Sequence, residues 1–147
     1  MASPKDVVDR SLAAWEARDP DAFAQCYSES ADIVGPGGML LHGQAGARQL
    51  FVEWLEAVPD HELVIHNEYM ANSVLIQEGT FSGTHTGNMV SPDGETIPPT
   101  GRRFTCRHAD IYVIEGDRIR SDHIYFDQIE LLAQLGIMPN TTVAGGN

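Results

Sequence analysis

The chain has 147 residues, 42% of them hydrophobic, with 21 Asp and Glu against 9 Lys and Arg for a formal net charge of −12. That length is one domain's worth and permits one sizeable core. The acidic balance and the lack of basic clusters exclude nucleic acid and anionic membrane surfaces as partners. No apolar run approaches the roughly 20 residues that span a bilayer, and the opening MASPKDVVDR lacks the basic and apolar regions of a signal peptide. The expected location is therefore the cytoplasm. Cys26 and Cys106 make no disulfide framework, and no Cys/His spacing reads as a metal site, so neither metal nor cofactor is expected.

In chain order, Ser3-Pro4-Lys5-Asp6 reads as a helix start, with Ser3 as cap and Asp6 at the positive end of the dipole. Val8, Leu12 and Trp15 recur at helical spacing, predicting a helix to about Ala17. Asp19-Pro20-Asp21 restarts a short helix carrying Phe23 and Tyr27. Ala31 to Val34 and Met39 to His42 read as short extended pieces separated by the Gly35-Pro36-Gly37-Gly38 turn. A third helix runs from about Ala45 to Val58 and is closed by Pro59.

Beyond residue 60 the pattern changes to strands, over Leu63 to Ala71 and Val74 to His85, with a turn at Ala71-Asn72-Ser73. Residues 87 to 101 read as a loop. Two further strands, Arg102 to Glu115 and Arg118 to Phe126, are joined at Gly116-Asp117, a hairpin signal. Asp127 caps a last helix, with Glu130 as the expected capping-box partner and Gly136 at its end. The organisation is a single domain over 1–138 with a C-terminal tail over 139–147. Its class is α+β, a cone-shaped curved antiparallel sheet with the N-terminal helices packed on its concave face.

The strand from Arg102 to Glu115 carries the most chemical information. Alternation puts Phe104, Cys106, His108, Asp110, Tyr112 and Ile114 on one face, which is mostly apolar and hence buried. An unpaired carboxylate there costs several kcal/mol or takes up a proton. His108 and Asp110 therefore form either a structural pair satisfied in the core or a pocket acid/base group with its orienter, and the second reading is preferred. The partner strand adds a set that depends on the turn. A two-residue turn sets Asp110 opposite His123 and His108 opposite Tyr125. A three-residue turn sets Asp110 opposite Asp122 and His108 opposite Ile124. In the second case two carboxylates meet in a low-dielectric place and one has a raised pKa.

His85, in Gly83-Thr84-His85-Thr86-Gly87, stands at the expected pocket mouth and reads equally as a ligand contact or as a solvent-exposed turn residue. Trp15, Trp54, Phe51 and Phe81 read as core, with some of them able to line a cavity as well. His42, His61 and His66 show no constellation and read as surface residues, and Cys106 reads as a buried thiol rather than a nucleophile.

Gly83-Thr84-His85-Thr86-Gly87, Pro98-Pro99-Thr100-Gly101-Arg102, Ala109-Asp110-Ile111-Tyr112, Gly116-Asp117-Arg118-Ile119 and Phe126-Asp127-Gln128, with Gln134-Leu135-Gly136, together resemble the SnoaL-like polyketide cyclase family. The resemblance runs from about residue 5 to 138 and implies a nuclear-transport-factor-2-like cone with a pocket in its mouth, commonly homodimeric. It also implies ring closure by intramolecular aldol condensation without metal or cofactor, using an aspartate base with a histidine nearby. Aligned through the hairpin, Ile124 stands where the cyclase aspartate would be, Asp110 where the histidine would be, and His108 where a pocket glutamine lies. The acid/base groups left to such a pocket are His108, Asp110 and Asp122. A basic or imidazole side chain two residues before an aspartate is also similar to the arrangement in limonene epoxide hydrolase.

The leading expectation is a cofactor-independent acid/base enzyme with Asp110, His108 and Asp122 as catalytic residues. Trp15, Trp54, Phe81, His85, Tyr112, Ile124 and Phe126 would contact a small hydrophobic substrate. The alternatives are a water-adding epoxide hydrolase or hydroxylase-type enzyme, and a non-catalytic binding or dimerisation domain.

Overall fold

A computed structural model describes residues 3–137, so the expected tail over 139–147 lies outside the described residues. Helix α1 spans Pro4–Glu16, and its start is a reciprocal cap. The Ser3 hydroxyl accepts from the Asp6 amide, and the Asp6 carboxylate accepts from the Ser3 amide. Helix α2 (Pro20–Gln25) is capped by Asp19. Strand β1 covers Tyr27–Gly35, longer than the sequence pattern suggests, and a 3₁₀ turn at Pro36–Gly38 leads to β2 (Met39–His42) and then α3 (Gly43–Ala57). The strands β3 (Glu62–Ala71) and β4 (Val74–Thr84) form a hairpin whose turn uses Asn72 at φ 57°.

The stretch read as loop contains a small hairpin of its own, β5 (Met89–Val90) with β6 (Thr96–Ile97). The long strands β7 (Arg103–Glu115) and β8 (Arg118–Phe126) follow, then helix α4 (Gln128–Gln134). Asp127 caps α4 as expected, but Glu130 does not complete a capping box. Its carboxylate instead accepts from the amide and guanidinium of Arg107.

The main sheet has the order β2-β1-β8-β7-β4-β3, antiparallel except for the parallel β1–β8 pair. The helices bury one stripe each against its inner face. Val7, Val8, Phe23, Leu50 and Phe51 pack on Ile33, Leu75, Tyr112, Ile114 and Ile119. A second cluster joins Val58, Met89, Phe104, Leu131 and Leu135 at the other end, and Trp54 packs against both. Each such apolar side chain taken from water contributes about 1.5–3 kcal/mol. Between the two clusters the core is not filled.

The β7–β8 hairpin turns through Gly116 (φ 64°) and Asp117, pairing Glu115 with Arg118. This is the two-residue turn, yet neither expected pairing follows from it. Arg120 is an extra residue on β8, and beyond it the register moves by one. Asp110 stands opposite Ile124, His108 opposite Phe126 and Tyr112 opposite Asp122. The bulge therefore turns Asp122, Ile124 and Phe126 inward and leaves Tyr125 exposed outside.

No helix among the described residues is long and apolar enough to cross a membrane.

Candidate active site

The unfilled region is a cavity of about 100 Å³ between the helices and the inner face of β4, β7 and β8. Trp15 comes from α1, Trp54 from α3, Phe81 from β4, Tyr112 from β7, and Ile124 and Phe126 from β8. The polar part of the lining is His108, Asp110, Asp122 and Tyr27. All three expected catalytic residues and six of the seven expected contact residues thus line one space.

His85 is the exception. It is fully buried outside this lining, and its Nδ1 takes the Thr100 hydroxyl at 3.0 Å and the Thr100 amide at 3.3 Å. Its backbone bonds to Arg102 and Gly101, so it ties together the two ends of the loop rather than facing a ligand. Burial lowers its pKa, which keeps the ring neutral in that role.

Strand alternation brings His108 and Asp110 side by side on β7, with Nδ1 of His108 3.1 Å from Oδ1 of Asp110. A carboxylate at that distance selects the tautomer with the proton on Nδ1 and leaves Nε2 facing away. Nε2 is buried and has no partner among the described residues. The ring has room because Gly79 lies directly opposite it on β4. A Cβ at position 79 would stand 3.0 Å from His108 Nε2 and would press on the Val64 carbonyl.

Asp122 is 2% exposed and accepts the Tyr27 hydroxyl on Oδ2 at 2.9 Å, while Oδ1 has no partner among the described residues. Burial, and next the charge of Asp110, raise the Asp122 pKa well above the ordinary carboxylate value, with the Tyr27 hydroxyl opposing them. The phenols of Tyr27 and Tyr112 are also pushed well above their usual value, mainly by burial and secondly by the neighbouring carboxylates, so both stay donors. Two carboxyl groups in one apolar space, one of them disposed to keep its proton, provide a base and an acid together.

Tyr27 is the polar cavity residue that the sequence pattern hides. Its spacing from Phe23 continues the helical stripe of α2, but the helix ends at Gln25 and Tyr27 opens β1 instead. His61 also departs from expectation. It is 2% exposed, stacked on Phe81 at 5.5 Å and 5.0 Å from Trp15, and neither ring nitrogen has a partner among the described residues. Burial, and secondly the Arg18 guanidinium, lower its pKa to about 4. His42 and His66 are exposed, as expected. The Cys106 thiol lines the cavity but is pushed up to about 11 by burial and then by the Glu130 charge, which makes it a poor nucleophile. Among the described residues no group of three His, Cys, Asp or Glu side chains is arranged to hold a metal ion.

Comparison with known families matches residues 5–135 to the SnoaL-like polyketide cyclases. A comparison with curated protein sequences gives no significant match. Among solved structures, the chain is similar to TsrD of Streptomyces laurentii, with 25% identity, a TM-score of 0.77, and 91% of this chain and 95% of that one covered. It is also similar to IdmH of Streptomyces antibioticus, a proposed polyketide cyclase, with 20% identity, a TM-score of 0.75, and 92% and 99% covered. A third similar structure is AclR of Streptomyces galilaeus, a proposed hydroxylase, with 18% identity, a TM-score of 0.76, and 97% and 90% covered.

Proposed function

Because the chain belongs to the SnoaL-like polyketide cyclase family, we propose that it is a cofactor-independent acid/base enzyme acting on a small, largely apolar carbonyl compound of polyketide type. One observation carries the reading. Two carboxyl groups share an apolar cavity, Asp110 bonded to the His108 imidazole and Asp122 biased by burial toward its protonated form.

In the proposed reaction Asp110 takes a proton from the carbon beside the carbonyl. The C–H electron pair moves into the enolate, whose oxygen receives the proton of Asp122. Tyr27 occupies Oδ2 of Asp122 and leaves Oδ1 to carry that proton. His108, donating from Nδ1, keeps the Asp110 carboxylate aimed and stabilises its charge. The enol can be reprotonated at another carbon, expel a β-hydroxyl, or attack a second carbonyl of the same molecule. These are isomerisation, dehydration and ring closure. In each, Asp110 returns its proton to the developing alkoxide, leaving group or carbon, and Asp122 recovers its own from the enol oxygen.

The test is Asp110→Asn, which keeps the shape and removes the base. Turnover of β-keto esters and aromatic polyketide esters should fall by about 10²–10⁴-fold, the usual contribution of a general base, with the unfolding midpoint retained. Full activity in the variant would remove Asp110 from the mechanism.

A second reading, water addition as in epoxide opening, draws support from His108 Nε2 and Asp122 Oδ1, buried polar atoms without partners among the described residues and of the type that hold a water. Turnover in oxygen-labelled water separates the two, because only water addition places the label in a product hydroxyl that does not exchange with solvent, whereas carbonyl oxygens exchange in either case. A non-catalytic binding domain would keep its ligand affinity after both Asp110→Asn and His108→Ala.

A further inference from the structure

The row of side chains that crosses the sheet through Asp110 holds one buried polar group with no part in the chemistry above. On β4 the inward positions are Leu75, Gln77, Gly79 and Phe81. Gln77 is 1% exposed, although the other side chains of its face are apolar. The register places it directly between Glu68 of β3 and Asp110 of β7. Side chains paired in this way on adjacent strands have Cβ atoms about 4.5–5.5 Å apart.

The chemistry of its partner fixes the direction of the Gln77 amide. Nε2 donates to Glu68 Oε2 at 2.6 Å, and a carboxylate only accepts, so the NH2 end is the one that meets it. Lys5 of α1 supplies the counter-charge, with its Nζ 3.3 Å from Glu68 Oε1. With Nε2 held toward β3, Oε1 is turned away from β3, to the side of β4 on which Asp110 lies. Oε1 is buried and has no partner among the described residues. An acceptor left in that state destabilises a fold, and an apolar side chain here would avoid the cost. Asp110 can supply the missing donor in one protonation state only. As a carboxylate, with Oδ1 facing His108 Nδ1, it has no hydrogen to give. With a proton on Oδ2 it becomes an O–H donor.

We propose that Gln77 is a positioning residue for Asp110, its amide locked by Glu68 so that Oε1 accepts the hydrogen that Asp110 acquires. The proposal rests on the reading of Asp110 as the base. In the abstraction step the C–H bond beside the carbonyl breaks, its electron pair enters the enolate, and the proton forms an O–H bond on Asp110 Oδ2. That O–H turns to Gln77 Oε1, which stabilises the acid form and favours the forward step. The bond is released when Asp110 returns its proton. Gln77 and Glu68 neither gain nor lose a proton.

Solvent-deuterium exchange into the methyl group of 2-acetylnaphthalene, followed by NMR with the full chain, reads the abstraction step alone. Gln77→Leu keeps the bulk and removes the acceptor. It should unfold no earlier than the wild type, keep KM within about twofold and lower kcat for exchange by at least about tenfold, the pattern of an interaction made only beyond the bound ground state. Glu68→Leu changes a half-buried residue and frees the amide to turn Nε2 toward Asp110, so kcat should fall by a similar factor. The double variant should be no slower than Gln77→Leu alone, because Glu68 acts only through Gln77. A purely structural pair would lose activity only in step with stability. Wild-type kcat in a folded Gln77→Leu variant, or effects of the two substitutions that multiply, would overturn the proposal. Asp110→Asn separates it from the reading beneath it. If that variant exchanges like the wild type, or the wild type does not catalyse exchange, the base reading fails and the proposal with it. If Asp110→Asn is inactive while Gln77→Leu is fully active, only the positioning role falls.

Discussion

The Asp122 carboxyl offers the sharpest test of the site's electrostatics. In the unfolded chain an aspartate loses its proton near pH 4, whereas in the folded protein burial and the Asp110 charge raise the Asp122 pKa well above that. The folded state then holds one more proton than the unfolded state above pH 4. A carboxyl whose folded pKa is raised gives stability that is complete below its unfolded pKa and is lost as pH rises toward the folded value. The slope is about 1.4 kcal/mol per pH unit, or roughly 4 °C in the unfolding midpoint per unit for a domain of this size.

Asp122→Asn removes the titration while keeping an oxygen to accept the Tyr27 hydroxyl. Urea or thermal unfolding of wild type and variant from pH 4 to 7 should show the variant gaining on the wild type as pH rises. The buried His61 titrates in both proteins, so it cancels in the difference. Parallel curves over that range would mean that Asp122 ionises normally in the fold, and the proposed mechanism would lose its acid.

The remaining predictions concern the walls of the site. His61→Phe isolates the opposite contribution. The depressed His61 pKa gives stability that is complete above about 6.5 and lost as pH falls toward about 4, so the wild-type unfolding midpoint should fall relative to that of the variant as pH drops between these values, with the Asp122 contribution common to both and cancelling in the difference. Cys106→Ser should leave turnover unchanged, and iodoacetamide should fail to inactivate the wild type, because the thiol is buried and pushed up to about 11. Gly79→Ala should cost about 1–3 kcal/mol by overpacking and lower turnover even where the variant is fully folded, since the new methyl displaces the His108 ring. A variant destabilised but fully active would show that the position of His108 does not matter.

Much of this molecule is legible in its sequence because the signals are local. The Ser3 and Asp19 caps, the helical stripe through Val8, Leu12 and Trp15, and the alternation from Phe104 to Ile114 each depend on a few neighbouring residues. Alternation alone put His108 and Asp110 together on a buried face, and the structure keeps them there, 3.1 Å apart.

What the tertiary structure decided are the matters that need two distant segments at once. The inward orientation of Asp122 turns on the single extra residue Arg120, because a strand has a period of two and one inserted residue exchanges its faces. Tyr27 reaches Asp122 across 95 positions of sequence, through a β1–β8 pairing that no local pattern announces. The burial of His61 arises from the aromatic rings of Trp15 and Phe81, which come from a helix and a strand far from it in the chain. Local periodicity states which face a residue takes within its own element, and only the packing of elements states what that face meets.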